Sequence, residues 1–212
     1  MYPARTPALL RLLFSKRVWS MPGSEQVVYL TFDDGPVPQV TPWVLDTLSA
    51  FDARATFFVV GDNAERYPEL LARIRNDGHA VGNHTWHHVN GWRTTTSAYL
   101  HEVERTQQLT GTRLFRPPYG RLSPAQARAL HPAYDVIMWD VLSADFDTRV
   151  DEERCLQNVL KNTRPGSIVV FHDSVKAEAR LRYALPRTLE ALSQKGYRFL
   201  PLPEDGITAP RK

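Results

Sequence analysis

The chain has 212 residues, of which 42% are hydrophobic and 23% are charged, and these values are typical of a globular protein with one domain. Lysine and arginine exceed the acidic residues by only three, 26 against 23, and this small, scattered surplus argues against a nucleic-acid-binding protein. Cys155 is the single cysteine, which excludes a disulfide framework and a thiolate metal cluster.

Residues 1–26 contain a short apolar stretch from Ala8 to Phe14. Arg11 interrupts this stretch and Lys16-Arg17 closes it. It lacks the roughly 7–15 consecutive apolar residues of a secretory signal and the about 20 of a membrane span. We therefore expect residues 1–26 to pack on the domain, with membrane-surface association as the minority interpretation. On the same grounds, we expect no transmembrane segment. We also expect a cytoplasmic or membrane-surface location rather than secretion.

Strand-like and helix-like segments alternate from residue 27 to residue 203, which we take as the domain. Residues 204–212 are expected to form a loose tail. Four helices have recognisable starts. Thr41 and Ser123 are expected N-caps, each followed by proline at the first helical position, and Pro68 and Asp151 begin the other two helices. Seven apolar segments are typical of strands: Val27–Phe32, Ala55–Val60, His79–Gly82, Arg113–Phe115, Tyr134–Trp139, Ser167–Phe171 and Tyr197–Leu200.

Alternating strands and helices predict an α/β protein with a parallel sheet. Seven strands fit a distorted, closed or nearly closed (β/α) barrel, and a doubly wound open sheet is the competing arrangement. Barrel enzymes build their sites at the carboxyl ends of the strands. Reactive residues follow five of the predicted strands, so we expect them to converge: Asp33 and Asp34; His84 and His88; Arg116; Asp140 and Asp145; His172 and Asp173.

The histidines of this set have the spacing of metal ligands. His84 and His88 are four residues apart, which predicts both imidazoles on one side of a helical turn. The metalloprotease motif H-E-x-x-H has the same spacing, but its glutamate base is missing here. Two histidines and one aspartate would leave a fourth position for water, as in a catalytic zinc site. His87 is interpreted as a neighbour of this site or a surface residue.

The paired acids predict a division of labour. One carboxylate binds the metal, and the other accepts a proton from a water molecule whose pKa the metal lowers to about 7. Adjacent strand residues point to opposite faces, so the chain must bend at Asp33-Asp34, and Gly35-Pro36 permits that bend. An Asp-Gly turn with solvated carboxylates is the alternative.

Two further segments offer a general acid and an electrostatic group. His172 ends an apolar strand and titrates near neutral pH, although a buried structural histidine is the alternative. Arg116 begins the rigid loop Arg116–Gly120, where it can hold an aspartate in orientation, and nearby backbone N–H groups can bind an oxyanion.

Together these residues resemble the polysaccharide deacetylases of carbohydrate esterase family 4, the NodB homology domain. The resemblance runs from about Val27 to Leu202 and rests on four motifs. Thr31–Gly35 matches T-F-D-D-G, His84–His88 matches H-[ST]-x-x-H, Arg116–Gly120 matches R-P-P-Y-G, and Ile168–His172 matches the late strand that ends in histidine. The resemblance implies a distorted, TIM-like barrel with about seven strands.

The resemblance also implies a role for each motif residue. Asp33 is the expected base and Arg116 its positioning partner, and His172 protonates the leaving amine. The expected metal ligands are Asp34, His84 and His88, with zinc as the metal and cobalt or nickel as alternatives. The Tyr119 N–H helps to bind the oxyanion. The residues expected to contact substrate are Pro118, Tyr119, Trp139 and Asp145.

The implied reaction is hydrolysis of a carbon–nitrogen bond in a linear amide. The enzyme would remove N-acetyl groups from a carbohydrate partner, a glycan of the chitin-oligomer or peptidoglycan type, and we expect it to be a monomer. Two alternatives remain: a deformylase or deacylase of a lipid-linked amino sugar, and a catalytically silent, metal-containing glycan-binding protein.

One motif departs from the family pattern W-x-x-D-x-x-D-W. Leu142 stands where an aspartate usually tunes the catalytic histidine, and Phe146 replaces a tryptophan that lines the acetyl pocket. Asp140 and Asp173 are the candidates to replace the missing carboxylate. This departure leaves the identity of the substrate open.

Overall fold

The computed structural model describes residues 3–207, in which helices and strands alternate. The helices are α1 (Ala8–Leu13), α2 (Thr41–Ala50), α3 (Gly61–Arg66), α4 (Pro68–Asn76), α5 (Thr96–Thr110), α6 (Pro124–Leu130), α7 (Glu152–Leu160) and α8 (Glu178–Gln194). The strands are β1 (Val27–Asp33), β2 (Thr56–Val59), β3 (Ala80–Asn83), β4 (Leu114–Phe115), β5 (Asp135–Val136), β6 (Val141–Leu142), β7 (Ile168–His172) and β8 (Arg198–Phe199). Short 3₁₀ turns span Gly91–Arg93 and Pro118–Gly120.

The strands form the distorted (β/α) barrel that the sequence predicts. Seven of them lie in the order β5-β4-β3-β2-β1-β7-β6, and β8 pairs with the start of β1. The strand pairings in this sheet are parallel. The carboxyl ends of the strands therefore share one edge, which we call the rim.

The core is built around β1, whose residues are almost all buried. Phe32 stacks between Phe57 of β2 and Phe171 of β7, with ring centroids 5.0 and 6.1 Å apart. Helices α2, α7 and α8 cover this face with apolar side chains. Burying such a layer is the main favourable contribution to folding, and it holds the ends of β1 and β7 rigidly at the rim.

The predicted strand Tyr134–Trp139 is shorter than expected. Only Asp135–Val136 forms β5, and a separate two-residue strand, β6, follows. The Arg116 guanidinium donates hydrogen bonds to the carbonyl oxygens of Ile137 and Met138, at 3.3 and 2.9 Å. Because Arg116 occupies these acceptors, they are not available to a strand ladder there.

The start of α2 also differs from the prediction. Thr41 is the first helical residue, and Val40 occupies the N-cap position without a side-chain bond. The Thr41 hydroxyl instead accepts from the Val37 N–H and donates to Asp173. The predicted cap at Ser123 is correct, since this residue forms a capping box at α6. At α7, Asp151 occupies the N-cap position and accepts from the Arg154 N–H.

The segments at both ends of the described chain contact the barrel. The Thr6 N–H donates to the Asp140 carbonyl. The Val18 N–H donates to the carbonyl of Val136 in β5, and the Val18 carbonyl accepts from the Met138 N–H. The tail expected to be loose from Glu204 is held at its start, because Glu204 O accepts from Arg113 N–H and Ile207 N–H donates to Asp135. Residues 208–212 of that predicted tail lie outside the described residues. Between residues 3 and 207, no helix has the length and apolar character needed to cross a bilayer.

Candidate active site

The two adjacent aspartates are separated by a sharp bend at the end of β1. Asp33 is the last strand residue and is almost fully buried, whereas Asp34 has a left-handed backbone with φ of 82°. The Asn63 amide donates to the Asp34 carbonyl at 2.8 Å and holds this conformation. The bend that the sequence required is therefore present, and it lets both carboxylates serve one side of the rim.

Asp34 meets the two histidines of the predicted metal site. Its Oδ1 lies 3.2 Å from His88 Nε2 and 3.8 Å from His84 Nε2. The ligand atoms of the three residues all lie within 4.8 Å of one another. The structure thus brings together the residues that the sequence selected as metal ligands.

The prediction of a helical turn under His84 and His88 is wrong. Residues 84–88 form a loop in which Thr85 and His88 have positive φ values of 64° and 54°. Asn83 accepts from the Thr85 N–H, and the Thr85 hydroxyl accepts from the Val89 N–H. This loop, rather than helical periodicity, places the two imidazole rings 5.0 Å apart.

These three side chains fit a divalent cation. The Nδ1 of His84 donates to the Arg116 carbonyl at 2.8 Å, so its Nε2 presents a lone pair toward Asp34. Burial lowers the pKa of His84 to about 4, which keeps that imidazole neutral at pH 7. Among residues 3–207, Asp34 Oδ1 is buried and has no hydrogen-bond partner. Such an unpaired buried oxygen is costly, and a cation would satisfy it.

Arg116 is fully buried and reaches the other aspartate. Its Nη1 lies 2.6 Å from Asp33 Oδ1 and 2.7 Å from the Thr31 hydroxyl. The guanidinium also donates to the carbonyl oxygens of Ile137 and Met138, so four acceptors fix its position. Thr31 was given no role in the sequence analysis, and its place in the T-F-D-D-G motif is the signal that could have indicated one.

His172 ends β7 beside Asp33, and the two residues are register partners across the parallel pair of strands. Asp145 clamps the histidine, because its Oδ1 accepts from His172 Nδ1 at 2.7 Å and its Oδ2 accepts from the His172 N–H at 2.8 Å. Burial alone would lower the pKa of His172, but the Asp145 carboxylate outweighs it and raises the pKa to about 9. The His172 ring is therefore protonated at neutral pH and can act as a general acid.

The carboxylate that tunes His172 is thus Asp145, and both candidates for that role were wrong. Asp140 instead accepts from Arg5, Arg11 and Ser167. Asp173 accepts from the Gly35 N–H and the Thr41 hydroxyl. The prediction that Asp145 contacts substrate is also wrong, since the residue is fully buried.

Of the remaining predicted substrate residues, Pro118 and Tyr119 lie on the loop after β4, and Trp139 lies between β5 and β6. Tyr119 is 60% exposed, and its ring lies 4.6 Å from the His88 ring. Pro118 is buried in the 3₁₀ turn beside it. Trp139 is half-buried and packs near Leu142, Ala144 and Val170. His87 lies away from this group and pairs with Glu102 at the surface.

The chain is similar in sequence to known deacetylases. A family model described as polysaccharide deacetylase matches residues 20–133. A peptidoglycan-N-acetylglucosamine deacetylase of Bacillus cereus is 34% identical over 193 residues, which cover 87% of this chain and 70% of that protein. A chitooligosaccharide deacetylase of Azorhizobium caulinodans is 32% identical over 204 residues, which cover 85% of this chain and 94% of that protein.

A solved structure is similar over almost the whole chain. It is the Bc1960 peptidoglycan N-acetylglucosamine deacetylase in complex with 4-naphthalen-1-yl-N-oxidanyl-benzamide. The TM-score is 0.85 at 32% identity, and the match covers 98% of this chain and 100% of that one. The likeness therefore includes the segment that precedes β1 as well as the barrel.

Proposed function

This chain belongs to the polysaccharide deacetylase family, and from that premise we propose that it removes N-acetyl groups from the amino sugars of a glycan of the peptidoglycan or chitin-oligosaccharide type. The observation that carries the proposal is the meeting of three units at the rim. They are the Arg116–Asp33 pair, the Asp34-His84-His88 group and the Asp145–His172 pair. The names of the similar proteins support the substrate class.

We propose zinc as the cation that Asp34, His84 and His88 hold. Two imidazoles and one carboxylate are the donor set of a catalytic zinc site with an open position, and cobalt and nickel also accept imidazole and carboxylate ligands. When bound, such a cation polarises a carbonyl oxygen and lowers the pKa of water to about 7.

The other residues transfer protons or stabilise charge during the reaction. Asp33 accepts a proton from the attacking water, and Arg116 holds the carboxylate in orientation through its Oδ1. His172 donates a proton to the leaving nitrogen through Nε2, since Nδ1 is bonded to Asp145. The Tyr119 N–H stabilises the oxygen that becomes negative during the attack.

The test is acetate release by metal-loaded protein from chitin oligomers and peptidoglycan fragments. Loss of a general base typically lowers the rate by about 10²–10⁴-fold, so we expect Asp33→Asn to lose that much activity while its bound metal is unchanged. Asp46→Asn is the matched control, because this exposed carboxylate pairs only with Arg73 at the surface. Wild-type activity in Asp33→Asn would contradict the assigned role. Glycan binding without turnover under any metal would favour the silent binding protein.

A further inference from the structure

A cavity of about 880 Å³ lies between the N-terminal segment and the barrel. The N-terminal wall includes Leu10, Leu13 and Phe14, and the barrel wall includes Tyr119, Trp139 and Leu142. No acidic side chain lines it, and the lysine and arginines of the lining are long side chains that can keep their charges in water. Such a concave, largely apolar space of 300–1,000 Å³ is typical of a site for a small apolar group.

The cavity lies next to the candidate active site, because two of its lining residues connect to that site. Tyr119 lines the cavity and also contacts the ring of His88, a proposed metal ligand. On the opposite wall, Leu142 packs in one cluster with Val170 and Phe146. The Phe146 ring in turn lies 5.0 Å from the His172 ring. One wall of the cavity thus contacts the metal-binding group through Tyr119, and the other connects to the proposed general acid through Leu142 and Phe146.

We infer that this cavity receives the hydrocarbon chain of an N-acyl group longer than acetyl, so that the enzyme also deacylates amino sugars with medium-length acyl chains. The inference rests on the proposed function. In that reaction the carbonyl group faces the metal ligands and the nitrogen faces His172. The substituent on the carbonyl carbon then lies at the gap between Tyr119 and Leu142, where the cavity begins.

The chemistry of the longer substrate is the same hydrolysis. Water adds to the carbonyl carbon, its proton passes to Asp33, and the carbon–nitrogen bond breaks with its electron pair on nitrogen, which takes a proton from His172. The products are the free amino sugar and a carboxylic acid. This substrate differs from the acetylated one only in its apolar contact with the cavity. The length of the acyl chain should therefore change substrate binding.

The test uses zinc-loaded protein and chitobiose that carries N-acetyl, N-butyryl, N-hexanoyl or N-octanoyl groups, with the released amine as the readout. Each methylene group that enters the cavity is expected to improve KM or inhibition by about fourfold. Leu10→Trp fills the cavity and should lower the hexanoyl-to-acetyl ratio of kcat/KM at least tenfold. Leu9→Trp is the matched control, because Leu9 is its helix neighbour but does not line the cavity. Helix α1 buries none of its side chains, so both variants should fold.

Each outcome decides one point. Hydrolysis of the acetyl substrate without hydrolysis of, or inhibition by, the longer chains would overturn the cavity inference and leave the proposed function intact. If no substrate is hydrolysed, the proposed function fails, and calorimetry with the same series then tests the cavity: binding that ignores chain length overturns it. A chain-length effect seen only with alkyl glycosides of N-acetylglucosamine would assign the cavity to the aglycone and overturn the acyl assignment.

Discussion

The Asp145 carboxylate fixes both the position and the charge of His172. It accepts two hydrogen bonds, one from the ring and one from the backbone N–H of the same residue. Burial opposes protonation, and the carboxylate reverses that effect and raises the pKa of His172 to about 9. A general acid must be protonated to act, so this contact, with smaller contributions from the Asp34 and Asp33 charges, sets the pH range in which the acid is available.

We therefore expect Asp145→Asn to move the alkaline limb of the kcat–pH profile to lower pH. In the wild-type protein activity should fall as the pH rises through about 9. Without the Asp145 charge, burial favours the neutral imidazole and only the Asp34 and Asp33 charges still oppose it, so the limb should move well below pH 9. NMR titration of the His172 ring in the metal-free protein measures the same change directly.

The same shift has a stability consequence. The pKa of His172 is raised in the folded state, so its contribution is complete below about 6.5 and is lost as the pH rises through about 9. Asp147→Asn is the control for both measurements, because that carboxylate pairs with Arg149, whereas Asp145 pairs with His172. An unchanged alkaline limb in Asp145→Asn would contradict the assignment of Asp145.

Between β1 and α2, the turn that carries the aspartates is anchored from β7. Asp173 follows β7 and accepts from the Gly35 N–H at 3.1 Å and from the Thr41 hydroxyl at 2.6 Å. A Cβ atom on Gly35 would lie 2.0 Å from the Asp173 carboxylate, which explains why glycine is needed there. Asp173 is thus a positioning residue for the turn that presents Asp34.

Replacing this anchor should weaken metal binding. Asp173→Ala removes the acceptor of the Gly35 N–H and of the Thr41 hydroxyl hydrogen, and each buried donor left without an acceptor costs about 1–3 kcal/mol. Loss of a partner that orients a metal ligand typically lowers affinity by about 10–100-fold, and competition with a chromophoric chelator measures this. Asp173→Asn should recover most of the affinity, since its oxygen can accept from Gly35 and its amide can donate to Thr41. Equal loss in both variants would show that the charge, rather than the hydrogen bonds, is needed.

The Asp140 side chain is one of the groups that attach the N-terminal segment to the barrel. This nearly buried carboxylate accepts from Arg11 at 2.8 Å, from Ser167 at 2.8 Å and from Arg5 at 3.4 Å. Asp140→Ala should lower the free energy of unfolding by about 2–3 kcal/mol, because hydrogen bonds to a charged group are worth about 1.5–3 kcal/mol each and the arginines can turn to water. Urea unfolding measures the loss. Arg11→Ala should cost less than 1 kcal/mol, and a larger loss than in Asp140→Ala would contradict this ranking.

Parallel strand order made much of the rim predictable from the sequence. Apolar runs that end in Asp33-Asp34 and His172, with helices between them, place those residues at one edge because parallel strands end on the same side. The loop paths were not predictable in the same way. Asp145 reaches His172 because Ala144 has a positive φ of 63°, and His84 meets His88 through a loop. Neither conformation follows from residue spacing or hydrophobic periodicity.

Across the whole molecule, the metal site joins separate parts of the barrel. Asp34 follows β1, and His84 and His88 follow β3. An unfolded chain does not hold these residues together, so a cation that binds them stabilises the folded state. The metal should therefore affect global unfolding as well as activity.

Thermal unfolding should show this linkage. Zinc at 100 times its Kd should add about 2.7 kcal/mol of stability, which for a chain of this size corresponds to a rise in Tm of about 5–11 °C. A chelator should reverse the rise. His88→Ala removes one ligand and should abolish most of the zinc-dependent rise, whereas His87→Ala removes only the surface pair with Glu102 and should retain it. A zinc-dependent rise of full size in His88→Ala would place the cation elsewhere, because the Asp34-His84-His88 group cannot lose a ligand without losing affinity.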